Sequence, residues 1–220
     1  MPVPATLRLF RHDAPVHVLG PGARAVVWVQ GCPFHCPGCI VPESWDSAGG
    51  YELPVDELAA WALAQPGLDG LTLSGGEPLA QAAALAELVR QVRAARDLSV
   101  LCYTGYRLGD LEHRGTPEQR ALLAQCDILI DGPYIRSQHA DLRWRGSRNQ
   151  RVVALTERHR AEVEALGAVE GGDRGAGLEL TLDTAGLGFA GVPPRPGFRE
   201  EFVRRMEQRG IRLGTGEGQR

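Results

Sequence analysis

Between residues 25 and 166 short β-branched runs alternate with stretches of helical periodicity, and this alternation restricts the fold more than any other feature of the chain. Ala25 to Gln30 (AVVWVQ) ends in Gly31 and suits a buried strand. Pro54 opens a helix whose apolar face is Val55, Leu58, Ala59 and Ala62, and Pro66-Gly67 ends it. Leu71 to Leu73 is a second strand. Leu79 to Arg96 is a second amphipathic helix, with Leu85, Leu88, Val89 and Val92 as its stripe. Leu98 to Tyr103 makes a third strand, and Thr116-Pro117-Glu118-Gln119 is a capping box leading into a helix that ends near Gln125. Asp127 to Ile130 reads as the fourth strand and Arg151 to Leu155 as the fifth. Thr156 is placed to cap a further short helix through Leu166. Such a chain is α/β, an open parallel sheet or a partial (β/α) barrel, and its ligands collect at the C-terminal ends of the strands.

At 220 residues, 43% of them apolar, one domain is expected. The core should occupy residues 1–166, and residues 167–220 too little chain for a second core. Gly167 to Gly177 reads as a flexible glycine-rich loop, Leu178 to Gly191 as a hairpin, and Phe198, Phe202 and Met206 as one face of a last helix before a disordered GTGEGQR tail. The net charge of -3 sets 27 acids against 24 arginines without a long single-sign run, which argues against nucleic acid and membrane as partners. No basic-then-apolar start and no bilayer-length apolar window occur, so a cytoplasmic protein is expected. The lack of lysine removes Schiff-base catalysis and a phosphate-loop lysine.

Cys32, Cys36 and Cys39 fall within eight residues of the loop after the first strand, among Gly31, Pro33, Pro37 and Gly38. Five cysteines, three so tightly grouped, suit ligands in a reducing compartment better than a disulfide framework. Three readings compete: structural zinc with His35 or a distant fourth ligand, an iron-sulfur cluster with one iron unclaimed, and a catalytic nucleophile with bystanders. Zinc usually has a second two-cysteine knuckle, which Cys102 and Cys126 do not make; they read as small buried hydrophobes. His35, beside Cys36, reads as a loop-packing residue. Three thiolates on a cubane would leave one iron open to a substrate.

The CxxxCxxC loop followed after the second strand by Gly75-Gly76-Glu77-Pro78 resembles the radical S-adenosylmethionine superfamily. Gly38 before the last cysteine, Thr104-Gly105-Tyr106, Asp131 to Tyr134 and Leu142 to Val152 resemble, within it, the activating enzymes of anaerobic ribonucleotide reductases, over about residues 15 to 155. The resemblance implies a 4Fe-4S cluster on Cys32, Cys36 and Cys39. S-adenosylmethionine would chelate the open iron and be reductively cleaved to a 5'-deoxyadenosyl radical. The resemblance also implies a protein substrate, a glycyl-radical enzyme whose backbone glycine loses a hydrogen, and a reducing electron donor such as flavodoxin or ferredoxin. Cofactor contacts are expected from Gly75, Gly76, Glu77, Pro78, Thr104, Asp131, Arg145 and Asn149, with Glu77 or a freed carbonyl accepting from the methionine ammonium. Arg148 and Gln150 supply further donors, and Tyr103 and Tyr106 pack on the core or on adenine. Modification of a ribosomal peptide or a small molecule is the alternative within the same chemistry, and a noncatalytic iron-sulfur or zinc regulator the alternative outside it.

Overall fold

The computed structural model describes residues 5–168, 175, 177–183 and 186–211. Its centre is four parallel strands, β2 (Arg24–Val29), β4 (Gly70–Gly75), β5 (Ser99–Thr104) and β6 (Ile128–Asp131). On the β2 side the sheet continues antiparallel through β1 (Thr6–Val16) and β3 (Tyr51–Pro54). On the β6 side it ends in β9 (Arg151–Ala154). The seven strands follow the linear order β3-β1-β2-β4-β5-β6-β9, so the sheet is open.

One face carries Ala25, Val27, Val29, Leu71, Leu73 and Cys102, buried under α1 (Val55–Ala64), α2 (Ala82–Ala95) and α4 (Pro117–Leu123). The stripes anticipated for the first two of these helices are the residues that do the covering: Leu58 and Ala62 of α1, and Leu85, Leu88, Val89 and Val92 of α2, are all but inaccessible to water. Thr116 and Gln119 form the reciprocal capping box at α4, and Cys126 packs just beyond it. The other face carries Val26 and Trp28 beneath Ala190, and Leu101, Ile128 and Ile130 beneath Trp144 and Leu166. Ala190 belongs to the hairpin of β10 (Leu178–Asp183) and β11 (Gly186–Gly191), which precedes α6 (Phe198–Glu207). Leu166 belongs to α5 (Arg160–Ala168), and Trp144 to the turn joining β7 (His139–Leu142) to β8 (Arg145–Ser147).

Several expectations need correction. The fifth expected strand is β9, and it runs antiparallel to β6, because the hairpin β7–β8 reverses the chain where a parallel strand would need a long crossover. Strands β1 and β3 and helix α3 (Leu108–Arg114) were not anticipated; β1 mixes Arg8, Arg11, His12 and Asp13 with its apolar residues, as a strand with one wetter face does. The helix expected from Thr156 starts at Arg160, and the Thr156 hydroxyl donates instead to Asp127 Oδ1 at 2.8 Å. The second helix begins with a short 3-10 turn, Pro78–Gln81. Most of the loop expected from Gly167 to Gly177, and the GTGEGQR tail, lie outside the described residues.

Arg24, fully buried at the start of β2, ties the N-terminal ends of the parallel strands together. Its guanidinium donates to Thr72 Oγ1 (2.5 Å), Pro21 O (2.9 Å), Ser99 Oγ (3.0 Å), Leu71 O (2.7 Å) and Ser99 O (3.1 Å). Burial lowers its pKa to about 10, which still leaves it charged at neutral pH. Removing it takes the guanidinium donors from five acceptors, four of them in buried contacts. Arg24→Ala is expected to lower urea-unfolding stability by about 3 kcal/mol or more, and Thr72→Val by about 1 kcal/mol; equal small losses for both would show that the guanidinium does not organise these strand ends.

Candidate active site

At the opposite end of the sheet, the loops that follow β2, β4, β5 and β6 meet around one pocket. The loop after β2 carries the three cysteines, and the backbone holds its two legs together. Gly31 N donates to Ser44 O (2.8 Å) and Cys32 N to Trp45 O (3.1 Å), while Gln30 Nε2 donates to the carbonyls of Glu43 (2.9 Å) and Asp46 (2.7 Å). Cys39 N donates to Cys36 O at 3.0 Å, a tight turn between the last two cysteines. All three thiols are free, half-buried and on the pocket wall. Burial pushes the Cys32 and Cys39 thiols above their ordinary value.

The ends of β4 and β2 lie side by side in the parallel ladder, Val29 opposite Gly75, and the contact continues beyond it. Gly76 N donates to Val29 O at 2.7 Å and Glu77 N to Gly31 O at 2.8 Å. Gly75 has φ +104, and a Cβ there would come within 2.4 Å of Val29 N; at Gly76 it would come within 2.3 Å of Gly31 O. The two glycines are therefore required by backbone meeting backbone, and they bring the SGG segment onto the pocket wall beside the cysteines.

Glu77, expected to face a ligand, has its carboxylate already engaged. Oε1 accepts from Leu79 N and from the Thr104 hydroxyl, both at 2.9 Å, and Oε2 from Gly105 N at 2.8 Å. It ties the loop after β4 to the loop after β5 and still lines the pocket, as do Thr104 and Arg145. Pro78 is buried behind them as the first residue of the 3-10 turn.

Asp131 and Asn149 are not on that wall. Fully buried, Asp131 accepts from Arg151 Nε (2.9 Å) and Nη2, Arg107 Nη1 (3.3 Å) and Leu108 N (2.9 Å). Burial alone would raise its pKa, but these donors and charges outweigh it and hold the carboxyl below the usual range. Asn149 donates to Pro133 O at 2.7 Å and lines a neighbouring shallow cleft with Arg107 and Arg151. Gln150 does reach the main pocket and braces the β7–β8 hairpin through Gly146 N (3.0 Å) and Ser147 N (3.1 Å). His35 is exposed and stacks on Trp45, as a loop-packing residue would. Tyr106 packs edge-on against Phe34, and the Tyr103 hydroxyl donates to Trp144 O at 2.6 Å.

Sequence reasoning passed over several residues of this wall. Tyr134 meets His139 at 3.1 Å, and Trp144 takes a left-handed conformation (φ 62) in an Arg-Trp turn that lacks the Asn-Gly or Asp-Gly signature of such turns. Tyr134 and Arg136 crowd Gly38, where an added Cβ would lie 3.3–3.4 Å from them; with φ at +84, glycine fits there better than an aromatic. Phe189, Val192, Phe198 and Arg199 reach the pocket from residues 167–220, the small hairpin-helix appendage that the sequence places outside the core.

Residues 18–153 match a family model described as a 4Fe-4S single cluster domain. The chain belongs to that family. Within it, 152 residues are 36% identical to the anaerobic ribonucleoside-triphosphate reductase-activating protein of Vibrio cholerae, covering 64% of this chain and 95% of that protein. The counterpart from Enterobacteria phage T4 is 34% identical over 146 residues, 64% of this chain and 89% of the phage protein. The pyruvate formate-lyase-activating enzyme of Clostridium pasteurianum is 37% identical over 98 residues, 42% of this chain and 41% of that enzyme. This 4Fe-4S protein is a member of the radical S-adenosylmethionine superfamily, and its cofactors are the cluster and S-adenosylmethionine.

The donor set fits a cluster. Three thiols of one short loop line the same pocket, and a cubane would take each thiolate on a different iron. Among the described residues no helix is long and apolar enough to cross a membrane.

Glu77 yields a pH test. Burial lifts its pKa from 4.5 to about 7, against the hydrogen bonds from Gly105, Leu79 and Thr104 that lower it. The folded chain thus binds this proton more tightly than the unfolded chain, and its contribution to stability is greatest below pH 4.5 and lost as the pH rises to about 7. In the apoprotein that loss is on the order of 3 kcal/mol. Glu77→Gln is expected to flatten the slope in urea melts between those pH values; an unchanged slope would refute the assignment.

Proposed function

We propose that this chain activates a glycyl-radical enzyme, most directly an anaerobic ribonucleotide reductase, by removing hydrogen from a backbone glycine of that partner. The observation that carries the reading is the cysteine loop and the SGG segment on one pocket wall, in a chain 36% identical to an activating protein of which it spans 95%. Bound together, the cluster and S-adenosylmethionine supply the 5'-deoxyadenosyl radical that takes the hydrogen.

The chain's own residues bind, orient and shield. Cys32, Cys36 and Cys39 would hold the cluster. The backbone of Gly75 and Gly76 would meet the methionine end of the cofactor, Thr104 would hold Glu77 in place beside it, and Arg145 would donate to a carboxylate or a ribose hydroxyl. Glu77 acts chiefly as a positioning residue, because three donors already occupy its carboxylate. Asp131 and Asn149 act from behind the wall. The Asp131 carboxylate fixes Arg107 and Arg151, and Asn149 secures the Pro133 carbonyl next to the pocket-lining Tyr134. A small reducing protein of the flavodoxin or ferredoxin class delivers the electron.

Anaerobically reconstituted protein, reduced and mixed with S-adenosylmethionine and an anaerobic ribonucleotide reductase, is expected to form 5'-deoxyadenosine and a glycyl-radical electron paramagnetic resonance signal on the reductase. Cys36→Ala should abolish cluster loading and Cys102→Ala should leave it intact. Formation of 5'-deoxyadenosine without a glycyl signal would keep the chemistry and overturn the partner, pointing to a peptide or small-molecule substrate. No 5'-deoxyadenosine from loaded protein would overturn the enzyme reading.

A further inference from the structure

The family match ends at residue 153, and 95% of the Vibrio cholerae protein is spanned by the alignment, yet this chain continues into β10, β11 and α6. That continuation is anchored at two places. Beside β1, on the face of the sheet that carries Trp28, Arg11 donates to Phe189 O while lying 4.0 Å from the Trp28 ring, and His17 N donates to Glu179 Oε1 at 3.0 Å. Phe189, Ala190 and Val192 are buried there. At the cysteine loop, Arg199 clasps Glu43 through a two-pronged pair, Nη1 to Oε2 at 2.8 Å and Nη2 to Oε1 at 2.7 Å, and its Nη1 also donates to Ile40 O, the residue after Cys39.

Between the two anchors runs VPPRPG, residues 192–197, whose three prolines restrict the backbone before any contact is made. Phe198 stacks on Phe202, Phe202 meets Phe189 edge-on, and the Arg199 guanidinium lies over the Phe189 ring at 5.6 Å. The segment therefore stands as a braced apolar panel. Val192, Phe198 and Arg199 line the same pocket as the three thiols.

We propose that Arg199 is a positioning residue for the cysteine loop and that residues 192–200 form a built-in wall of the reaction chamber, shielding the cluster and the bound cofactor from solvent and oxygen. The wall is a fixed part of this chain's site. The inference rests on the cluster and its cofactor, and does not depend on which molecule receives the radical.

The test uses the full-length, cluster-loaded protein and three variants: Arg199→Gln, Glu43→Gln and the exchanged pair Arg199→Glu/Glu43→Arg. Bleaching of the cluster by air and by a chelator is followed optically, with 5'-deoxyadenosine formed in the absence of any substrate and apoprotein Tm measured alongside. Arg199→Gln and Glu43→Gln are each expected to bleach about fivefold faster, the factor that a partly exposed ion pair is worth. Both should form more uncoupled 5'-deoxyadenosine at nearly wild-type Tm, and the exchanged pair should recover most of the difference. Wild-type bleaching and wild-type substrate-free 5'-deoxyadenosine formation in Arg199→Gln would overturn the proposal. So would faster bleaching that follows a fall in apoprotein Tm and is not recovered by the exchange, since that is the behaviour of a stability contact alone.

Discussion

The chemistry-bearing end of this molecule depends on the close pairing of two neighbouring strand ends. Where β4 runs out beside β2, the amides of Gly76 and Glu77 bond the carbonyls of Val29 and Gly31 with no side chain between them. That contact sets the height of the cysteine loop relative to the SGG segment. A backbone-to-backbone contact is stiffer than side-chain packing because neither partner has rotamers to explore, which suits a site that must hold a cluster and a second cofactor at fixed separation.

Buried charge extends this rigidity sideways. Glu77 spans from the loop after β4 to the loop after β5, and Asp131 gathers Arg107, Arg151 and the start of α3 behind the rim. Both carboxylates are out of water and both are saturated with donors, but their titration differs. Neutral donors surround Glu77, so desolvation wins and its pKa rises; two guanidinium groups meet Asp131, and their charge more than offsets burial. Arg24 does comparable work at the far end of the same strands, where its neighbours are carbonyls and hydroxyls.

The parallel centre of the sheet was legible because β2, β4, β5 and β6 each carry a short buried apolar run, and the helices α1 and α2 that follow β2 and β4 each carry an apolar stripe. The edges were not. In β1, which lies between β3 and β2, polar and apolar residues mix because one of its faces is wetter. The turn between β7 and β8 carries Arg-Trp rather than a turn dipeptide, and its conformation is held by burial of Trp144 beneath Ile130. The grouping of the three cysteines, and the glycines after β4, could be read directly, because spacing along a short loop already limits where those groups reach.

Sequence alone determined the three-thiol loop, the α/β alternation and the convergence of both on the C-terminal rim, since these follow from local periodicity and from the one handedness that parallel crossovers take. Tertiary structure decided what each polar residue does once there. Glu77 turns inward to backbone amides, Asp131 is taken up by arginines 20 and more residues away, and Arg199 reaches back 156 residues to Glu43. Such pairings depend on which chain segments the fold brings within hydrogen-bond reach, and nothing in residue type or spacing specifies a partner so far along the chain.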